Sequence, residues 1–172
     1  MKTIFHNVSR TRKGTNDVSL LTSAICEAKF GQPTPEMERK WLGVFSTGVE
    51  RQKIPLLVIP LRIYCHKLLV DPLREAIDLL CERQLGNQIK TWDGCFNIRT
   101  KKGGTTSSLH SWGLAIDINA AWNRFGAEPT LPPEVVACFT EAGFDWGGEW
   151  KTKDGMHMQL KAKLVSKNVP RE

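Results

Sequence analysis

The sequence contains no hydrophobic run long enough to cross a membrane. Its longest apolar stretch, residues 54–61, contains Pro55 and Pro60, whereas a membrane-spanning helix needs about 20 apolar residues. The first residues resemble the start of a signal peptide, but Asn7 and Arg10 interrupt the apolar core that such a peptide requires. We therefore expect a protein made in the cytoplasm without a signal peptide, which reaches any target outside by a separate route.

The five cysteines form no disulfide or metal-binding motif. Their number is odd, their spacing is wide, and the sequence contains no CxxC. A disulfide framework and a thiolate zinc site are therefore poor interpretations. We interpret the cysteines as buried or free thiols of a chain made in a reducing compartment.

Basic residues outnumber acidic ones by 24 to 18, which gives a net charge of +6. Such an excess favours polyanions, including nucleic acid, anionic envelope polymers and anionic membranes. The basic residues are scattered, and no basic helix interleaved with aromatic residues is present, so specific nucleic-acid binding has no support. A chain of 172 residues is long enough to bury a core without disulfides.

Hydrophobic periodicity and turn residues predict a mixture of helices and short strands. We expect helices at 16 or 17 to 30, from Pro35 through Trp41 and Phe45, from 73 to Gly86, and at 132–142. We expect a β-hairpin made of 88–92 and 95–99, strands at 114–118 and 156–160, and a linker or extended strand at 48–63. Without a βαβ rhythm, this order predicts an α+β fold, in which helices pack a small antiparallel sheet behind an N-terminal helical extension.

One segment places a histidine and an acid in unusual surroundings. In Ser108-Leu-His110-Ser-Trp-Gly113-Leu-Ala115-Ile-Asp117, His110 lies in a polar loop, and Asp117 lies inside an apolar run. A carboxylate in a buried strand is costly unless it is paired or binds a metal. Gly113 and Ala115 are small, so the loop can fold back over the strand and bring His110 beside Asp117.

A second histidine begins the last predicted strand. His157 and Gln159 share one face of that strand, while Met156 and Met158 share the other. Asp154 lies three residues before His157, just off the strand end. From there its carboxylate can reach a water on a metal that His157 binds.

Together these residues have the composition of a catalytic zinc site. Two histidines and one carboxylate are a common zinc ligand set that leaves a position for water, so we predict that His110, Asp117 and His157 bind Zn²⁺. Asp154 is the candidate general base, which takes a proton from that water and passes it to the leaving amine. Arg99, which keeps its charge, is the candidate to stabilise an oxyanion or to hold a substrate carboxylate.

Each of these residues has an ordinary structural interpretation when taken alone. A single loop histidine is usually structural, Asp154 can belong to a plain turn, and Trp146 and Trp150 can be core residues. We interpret the remaining histidines, His6 and His66, as structural. The predicted site rests on the joint pattern.

That joint pattern resembles the peptidase M15 family, which includes D-Ala-D-Ala carboxypeptidases and phage L-alanyl-D-glutamate endopeptidases. The resemblance is carried by SxHxxGxAxD at 108–117 and by DxxH at 154–157, which follows Trp-Gly-Gly-x-Trp. It covers about residues 70–162. The upstream Arg99 and the Asp-Ile-Asn that ends at Asn119 are similar to the phage-associated branch.

The resemblance implies a Hedgehog/DD-peptidase-like fold and assigns roles to individual residues. It makes His110, Asp117 and His157 the zinc ligands and Asp154 the general base, and Arg99 matches the position of a substrate or transition-state arginine. It also divides the chain. Residues 70–172 would form the zinc peptidase domain, and residues 1–69, which match nothing recognisable, an N-terminal extension of unknown role.

The expected function is hydrolysis of a peptide bond in the peptidoglycan stem peptide, as a phage endolysin that lyses its host. A virion-associated wall hydrolase is an alternative, because both are made without a signal peptide and act at the cell wall. A non-catalytic zinc-containing module of Hedgehog-like fold is a second alternative, and Asp154 argues against it. The bond cut and the oligomeric state stay open.

Overall fold

Two small antiparallel sheets and five helices make up the part of the chain that the computed structural model describes, residues 20–48 and 58–168. The helices are α1 (Ser23–Phe30), α2 (Pro35–Trp41), α3 (Val70–Glu82), α4 (Pro133–Glu141) and α5 (Ala162–Asn168). The strands are β1 (Leu42–Ser46), β2 (Arg62–His66), β3 (Trp92–Gly94), β4 (Ala115–Ile118), β5 (Phe144–Trp146) and β6 (His157–Leu160). This arrangement confirms the predicted α+β class. None of the helices in the described ranges is long and apolar enough to cross a membrane.

The larger sheet has the strand order β3-β4-β6-β5, and the smaller one pairs β1 with β2. In the larger sheet β4 and β6 are central neighbours, and their register places Asp117 opposite His157 and Ala115 opposite Gln159. Side chains at directly opposed positions of an antiparallel pair lie on the same face. The register therefore brings together two residues that are separated by forty positions in the sequence.

The first two helices differ from the prediction at one end each. α1 begins at Ser23, where the side chain of Thr22 accepts a hydrogen bond from the Ile25 N–H. Its expected start at residue 16 or 17 lies outside the described residues, but residues 20–22 are not helical. α2 begins at Pro35 as predicted, whereas its expected continuation to residue 45 is wrong, because residues 42–46 form β1 and pair with β2.

α3 contains the strongest helical pattern of the sequence and buries it. Leu73, Ala76, Ile77 and Leu80 are buried along one face. The helix ends at Glu82 rather than at Gly86, because Gln84 takes a positive φ of 56° that a right-handed helix does not allow.

The predicted hairpin of 88–92 with 95–99 is wrong. Its first arm ends in β3, which pairs with β4 instead, with Trp92 opposite Ile118 and Gly94 opposite Asp117. The second arm forms no strand and runs beside the segment that carries His110. Long-range pairing thus overrides the local Asp-Gly turn signal. The predicted strands at 114–118 and 156–160 are confirmed as β4 and β6, and β5 was not predicted.

The described part of the N-terminal extension packs into the same core as the rest of the chain. Buried core side chains come from both sides of residue 69, with Cys26, Phe30 and Met37 among those from the first part. The indole N–H of Trp112 donates to the carbonyl of Gly31 at 2.9 Å. The division at residue 69 stays a prediction, and one hydrophobic core contains side chains from both sides of that boundary.

Candidate metal centre

Three predicted ligands converge on the face of the larger sheet. Asp117 and His157 lie opposite each other on β4 and β6, and His110 lies in a short 3-10 helix, Leu109–Trp112, that leads into β4. That helix ends at Gly113, whose φ is 62°. A Cβ there would lie 2.8 Å from the backbone N of His66. A glycine is therefore needed at this turn both for its conformation and for the close approach of β2.

The ligand atoms of these residues lie in mutual contact. His110 Nε2, His157 Nδ1 and Asp117 Oδ1 are 3.2 Å apart in every pair. The side chains of His110 and His157 are 2% and 8% exposed, and that of Asp117 is 13% exposed. Among the described residues, these three form the group of histidine, cysteine and acidic side chains that could hold a metal ion.

The surroundings of His110 fix which of its nitrogens faces the group. Its Nδ1 lies 2.6 Å from the carbonyl oxygen of Cys95, which can only accept a hydrogen bond. The proton is therefore on Nδ1, and the lone pair of Nε2 points at Asp117 and His157. A backbone carbonyl is a common partner of a metal-binding histidine in this role.

Asp117 is held as an anion between two imidazoles. Burial disfavours the charge of Asp117, but its contacts with His110 and His157 outweigh burial and keep its pKa well below the usual range. The guanidinium of Arg99 lies 3.6 Å from its other oxygen. Two imidazole nitrogens and a carboxylate oxygen that converge in a buried site fit a borderline metal such as zinc.

Asp154 lies beside the group and is not one of the three convergent ligands. Its backbone is held at both ends: its N–H donates to Gly147 at 2.9 Å, and its carbonyl accepts from the N–H of His157 at 3.1 Å. Its Oδ1 is buried and has no hydrogen-bond partner among the described residues. Burial raises the pKa of Asp154 above its usual value, and the Asp117 charge adds to the effect, although His157 opposes it. A buried carboxylate oxygen without a partner is costly, so this atom is available for a ligand.

Arg99 stands at the edge of the same site. Its N–H donates to the hydroxyl of Ser111, which donates in turn to the carbonyl of Arg99. This pairing fixes the backbone of Arg99 next to the helix that carries His110, while the side chain stays 41% exposed. The guanidinium can therefore reach both Asp117 and a molecule in the cleft.

A cleft of about 440 Å³ opens over the group. Asp117, Asp154 and His157 lie in its wall, as do Phe125 and Trp150. The ring of Trp150 lies 5.4 Å from that of His157. The basic residues in the wall are Arg99, Lys101, Lys102 and Arg124. Apart from the acids that face the ligand group, the cleft is therefore positively charged.

The structure thus brings the five predicted site residues together: Arg99, Asp117, Asp154 and His157 line the cleft, and His110 contacts Asp117 and His157. Sequence reasoning missed the carbonyl of Cys95, for which no side-chain signal exists, and the basic residues at 101, 102 and 124. It also left Gln159 without a role, although the strand alternation had placed it on the face of His157. The Gln159 Oε1 lies 3.3 Å from His157 Nε2.

A buried group of two histidines and an aspartate, next to a second acid in a cleft, is characteristic of metal-dependent hydrolases. Residues 102–160 match a family model described as D-alanyl-D-alanine carboxypeptidase. The match covers about a third of the chain and supports the resemblance to the peptidase M15 family found in the sequence, while the phage-associated branch stays a prediction. Among curated proteins, none matches the chain significantly.

Proposed function

We propose that the protein is a zinc-dependent peptidase that hydrolyses a peptide bond in the stem peptide of peptidoglycan, as a phage endolysin that lyses its host cell. The observation that carries the proposal is the convergence of His110, Asp117 and His157 beside the unpartnered carboxylate of Asp154. The family match supports a metal-dependent peptidase in general. Zinc, the bond cut and the phage role belong to the proposal.

His110, Asp117 and His157 would hold the zinc ion, which when bound supplies a water of lowered pKa and polarises a substrate carbonyl. The protein prepares this site without the ion. His110 presents an unprotonated nitrogen, and Asp117 is ionised. Both states are the ones that metal binding requires.

Asp154 would act as the general base and then as the general acid. A carboxyl group with a raised pKa takes up and returns a proton more readily near neutral pH than an ordinary one. Asp154 meets this condition because it is partly buried. Backbone hydrogen bonds to Gly147 and His157 hold the main chain of Asp154 beside the proposed ligands.

Arg99 and the basic wall of the cleft would bind the substrate. The stem peptide carries free carboxylates, and charge-assisted hydrogen bonds to arginine and lysine are among the strongest that a protein makes. The guanidinium of Arg99 lies 3.6 Å from Asp117, and it would stabilise an oxyanion. The other basic residues of the cleft wall, Lys101, Lys102 and Arg124, would hold carboxylates elsewhere in the peptide.

Digestion of purified peptidoglycan tests the proposal. The zinc-loaded protein should release peptide fragments, whose masses identify the bond that is cut. Asp154→Asn should lower kcat by at least about 100-fold and still bind zinc, whereas His157→Ala should lose zinc binding. Glu128→Gln is a matched control, because the Glu128 side chain is 82% exposed and pairs only with Lys153 among the described residues; it should be fully active.

Two outcomes would contradict the proposal in different ways. A wild-type protein that binds zinc and releases no fragment would favour the non-catalytic Hedgehog-like module. An Asp154→Asn variant with wild-type activity would show that the reaction uses another base. Detection of the protein in purified virions would favour the virion-associated wall hydrolase over a free endolysin.

A further inference from the structure

Gln159 lies on the same strand face as His157 and is almost fully enclosed. It is 4% exposed and sits in the centre of the sheet, between Ala115 of β4 and Asp145 of β5. A buried amide must find partners for both of its ends. The contacts of Gln159 therefore determine how its side chain is oriented.

The nitrogen end of this amide is anchored by the N-terminal part of the chain. The Gln159 Nε2 donates to the carbonyl oxygen of Leu21 at 3.0 Å. A carbonyl only accepts hydrogen bonds, so the amide nitrogen, not the amide oxygen, must face Leu21. The opposite orientation would place two acceptors against each other.

The oxygen end of the amide consequently faces His157. The Gln159 Oε1 lies 3.3 Å from His157 Nε2, and an amide oxygen cannot donate. The proton of the neutral imidazole is therefore on Nε2, and the lone pair of Nδ1 points at Asp117, 3.2 Å away. His110 shows the mirror case, with its proton on Nδ1 and Nε2 facing Asp117.

We propose that Gln159 is a positioning residue of the metal centre, which holds His157 in the tautomer that offers Nδ1, and that the carbonyl of Leu21 holds Gln159. This inference rests on the proposed metal site and adds to it. Without the amide, the ring of His157 is free to exchange tautomers or to flip. Tautomer exchange replaces the lone pair that faces Asp117 by an N–H, and a ring flip replaces it by a C–H, and neither group can bind a metal.

The chemistry of position 159 separates this role from simple packing. Gln159→Met keeps the length and volume of the side chain but cannot accept the N–H of His157. Gln159→Glu keeps an acceptor for that N–H, although it presents an acid to the carbonyl of Leu21. If only packing matters, Gln159→Met should preserve zinc binding better than Gln159→Glu. If the tautomer of His157 matters, Gln159→Glu should preserve it better.

The first measurement is the zinc dissociation constant, obtained by competition with a chelator. We expect Gln159→Met to weaken zinc binding by about 10- to 100-fold, the usual loss when an outer hydrogen bond to a metal-binding histidine is removed. Gln159→Glu should bind zinc about as tightly as the wild type. Thr47→Val is a stability control, because Thr47 is buried and its hydroxyl donates to the carbonyls of Pro60 and Leu61 without contact with the site; it should keep wild-type zinc affinity.

The second measurement needs no metal. Long-range ¹⁵N correlation spectra of the metal-free protein report which imidazole nitrogen carries the proton. His157 should show the Nε2–H form in the wild type and in Gln159→Glu, and a mixture of forms in Gln159→Met.

The two measurements separate the inference from the function it rests on. Wild-type spectra with the Nε2–H form, together with no zinc binding, would refute the metal site and support the orientation of His157. The positioning role would be overturned if Gln159→Met bound zinc as tightly as the wild type. It would also be overturned if Gln159→Glu bound zinc as weakly as Gln159→Met.

Discussion

We predict that His66 makes the stability of the fold depend on pH. Its ring is fully buried, 4.5 Å from the ring of Phe30 and stacked on Trp41 with an interplanar angle of 12°. Its Nδ1 accepts a hydrogen bond from the N–H of Leu68, and its Nε2 has no hydrogen-bond partner among the described residues. Burial, together with the charge of Lys67, lowers the pKa of His66 from 6.5 to about 3.

The sign of the effect follows from proton binding. The folded protein keeps His66 neutral down to a pH of about 3, whereas the unfolded chain protonates it below about 6.5, so stability falls as the pH drops through that interval. Since each pKa unit corresponds to about 1.4 kcal/mol, lowering the pH from 7.5 to 5 should cost about 2 kcal/mol through this residue alone. That is a large part of the stability of an ordinary domain.

Urea unfolding of the metal-free protein at pH 7.5 and pH 5 measures this effect. Other groups also titrate in the interval, so the quantity to compare is the stability lost by the wild type and by a variant that lacks the ring. His66→Asn keeps an acceptor close to the position of Nδ1, and His66→Phe keeps the aromatic stacking. Both variants are less stable at pH 7.5, but each should lose about 2 kcal/mol less than the wild type when the pH is lowered. An equal loss of stability in the wild type and the variants would show that His66 takes up a proton in the folded protein, and would refute the lowered pKa of its buried ring.

Three further predictions concern the site. Zinc at 100 times its dissociation constant should stabilise the protein by about 2.7 kcal/mol and raise Tm by about 5–10 °C, and His110→Ala should abolish that increase. Gly113→Ala should lower the free energy of unfolding by at least about 2 kcal/mol, since position 113 combines a left-handed φ with a clash against β2. Gly126→Ala is the control, because position 126 has a φ of 80° and open space around it; it should lower the free energy of unfolding by less in the same urea titration. Amidation of a stem-peptide carboxylate should lower kcat/KM by about 10-fold if that group pairs with a cation, and Arg124→Gln should reduce this difference between the two peptides. Equal kcat/KM for the amidated and the free-acid peptide would show that the basic wall does not bind substrate carboxylates.

The residues of the candidate site could be predicted from the sequence because together they form an unusual pattern, although each has an ordinary interpretation alone. Asp117 interrupts an apolar strand, where a carboxylate is costly unless it is paired or binds a metal, and His157 begins an alternating strand three residues after a second acid, Asp154. The hairpin prediction failed because it relied on one local turn signal. The Asp93-Gly94 turn is a local signal, and the pairing of β3 with β4 is a long-range contact that turn residues do not report.

Two of the groups that would orient the proposed ligands lie outside the segment that matches the family model. Residues 102–160 contain the three ligands and Asp154. The carbonyl that holds His110 belongs to Cys95, and the carbonyl that holds Gln159 belongs to Leu21. Both are backbone atoms that any residue type can supply, so no sequence motif can identify them.

The N-terminal segment therefore contributes to the geometry of the site as well as to the core. The hydroxyl of Ser23 donates to the carbonyl of Ser107 at 2.7 Å, in the loop between Arg99 and His110. Leu21, two residues earlier, anchors the amide behind His157. A displacement of this segment would reach His157 through Gln159 and the loop before His110 through Ser107, although no described residue of the segment makes a hydrogen bond or ion pair with a proposed ligand. The candidate site is thus assembled by parts of the chain on both sides of residue 69, and the role of the described N-terminal residues is best tested through the metal affinity of the whole protein.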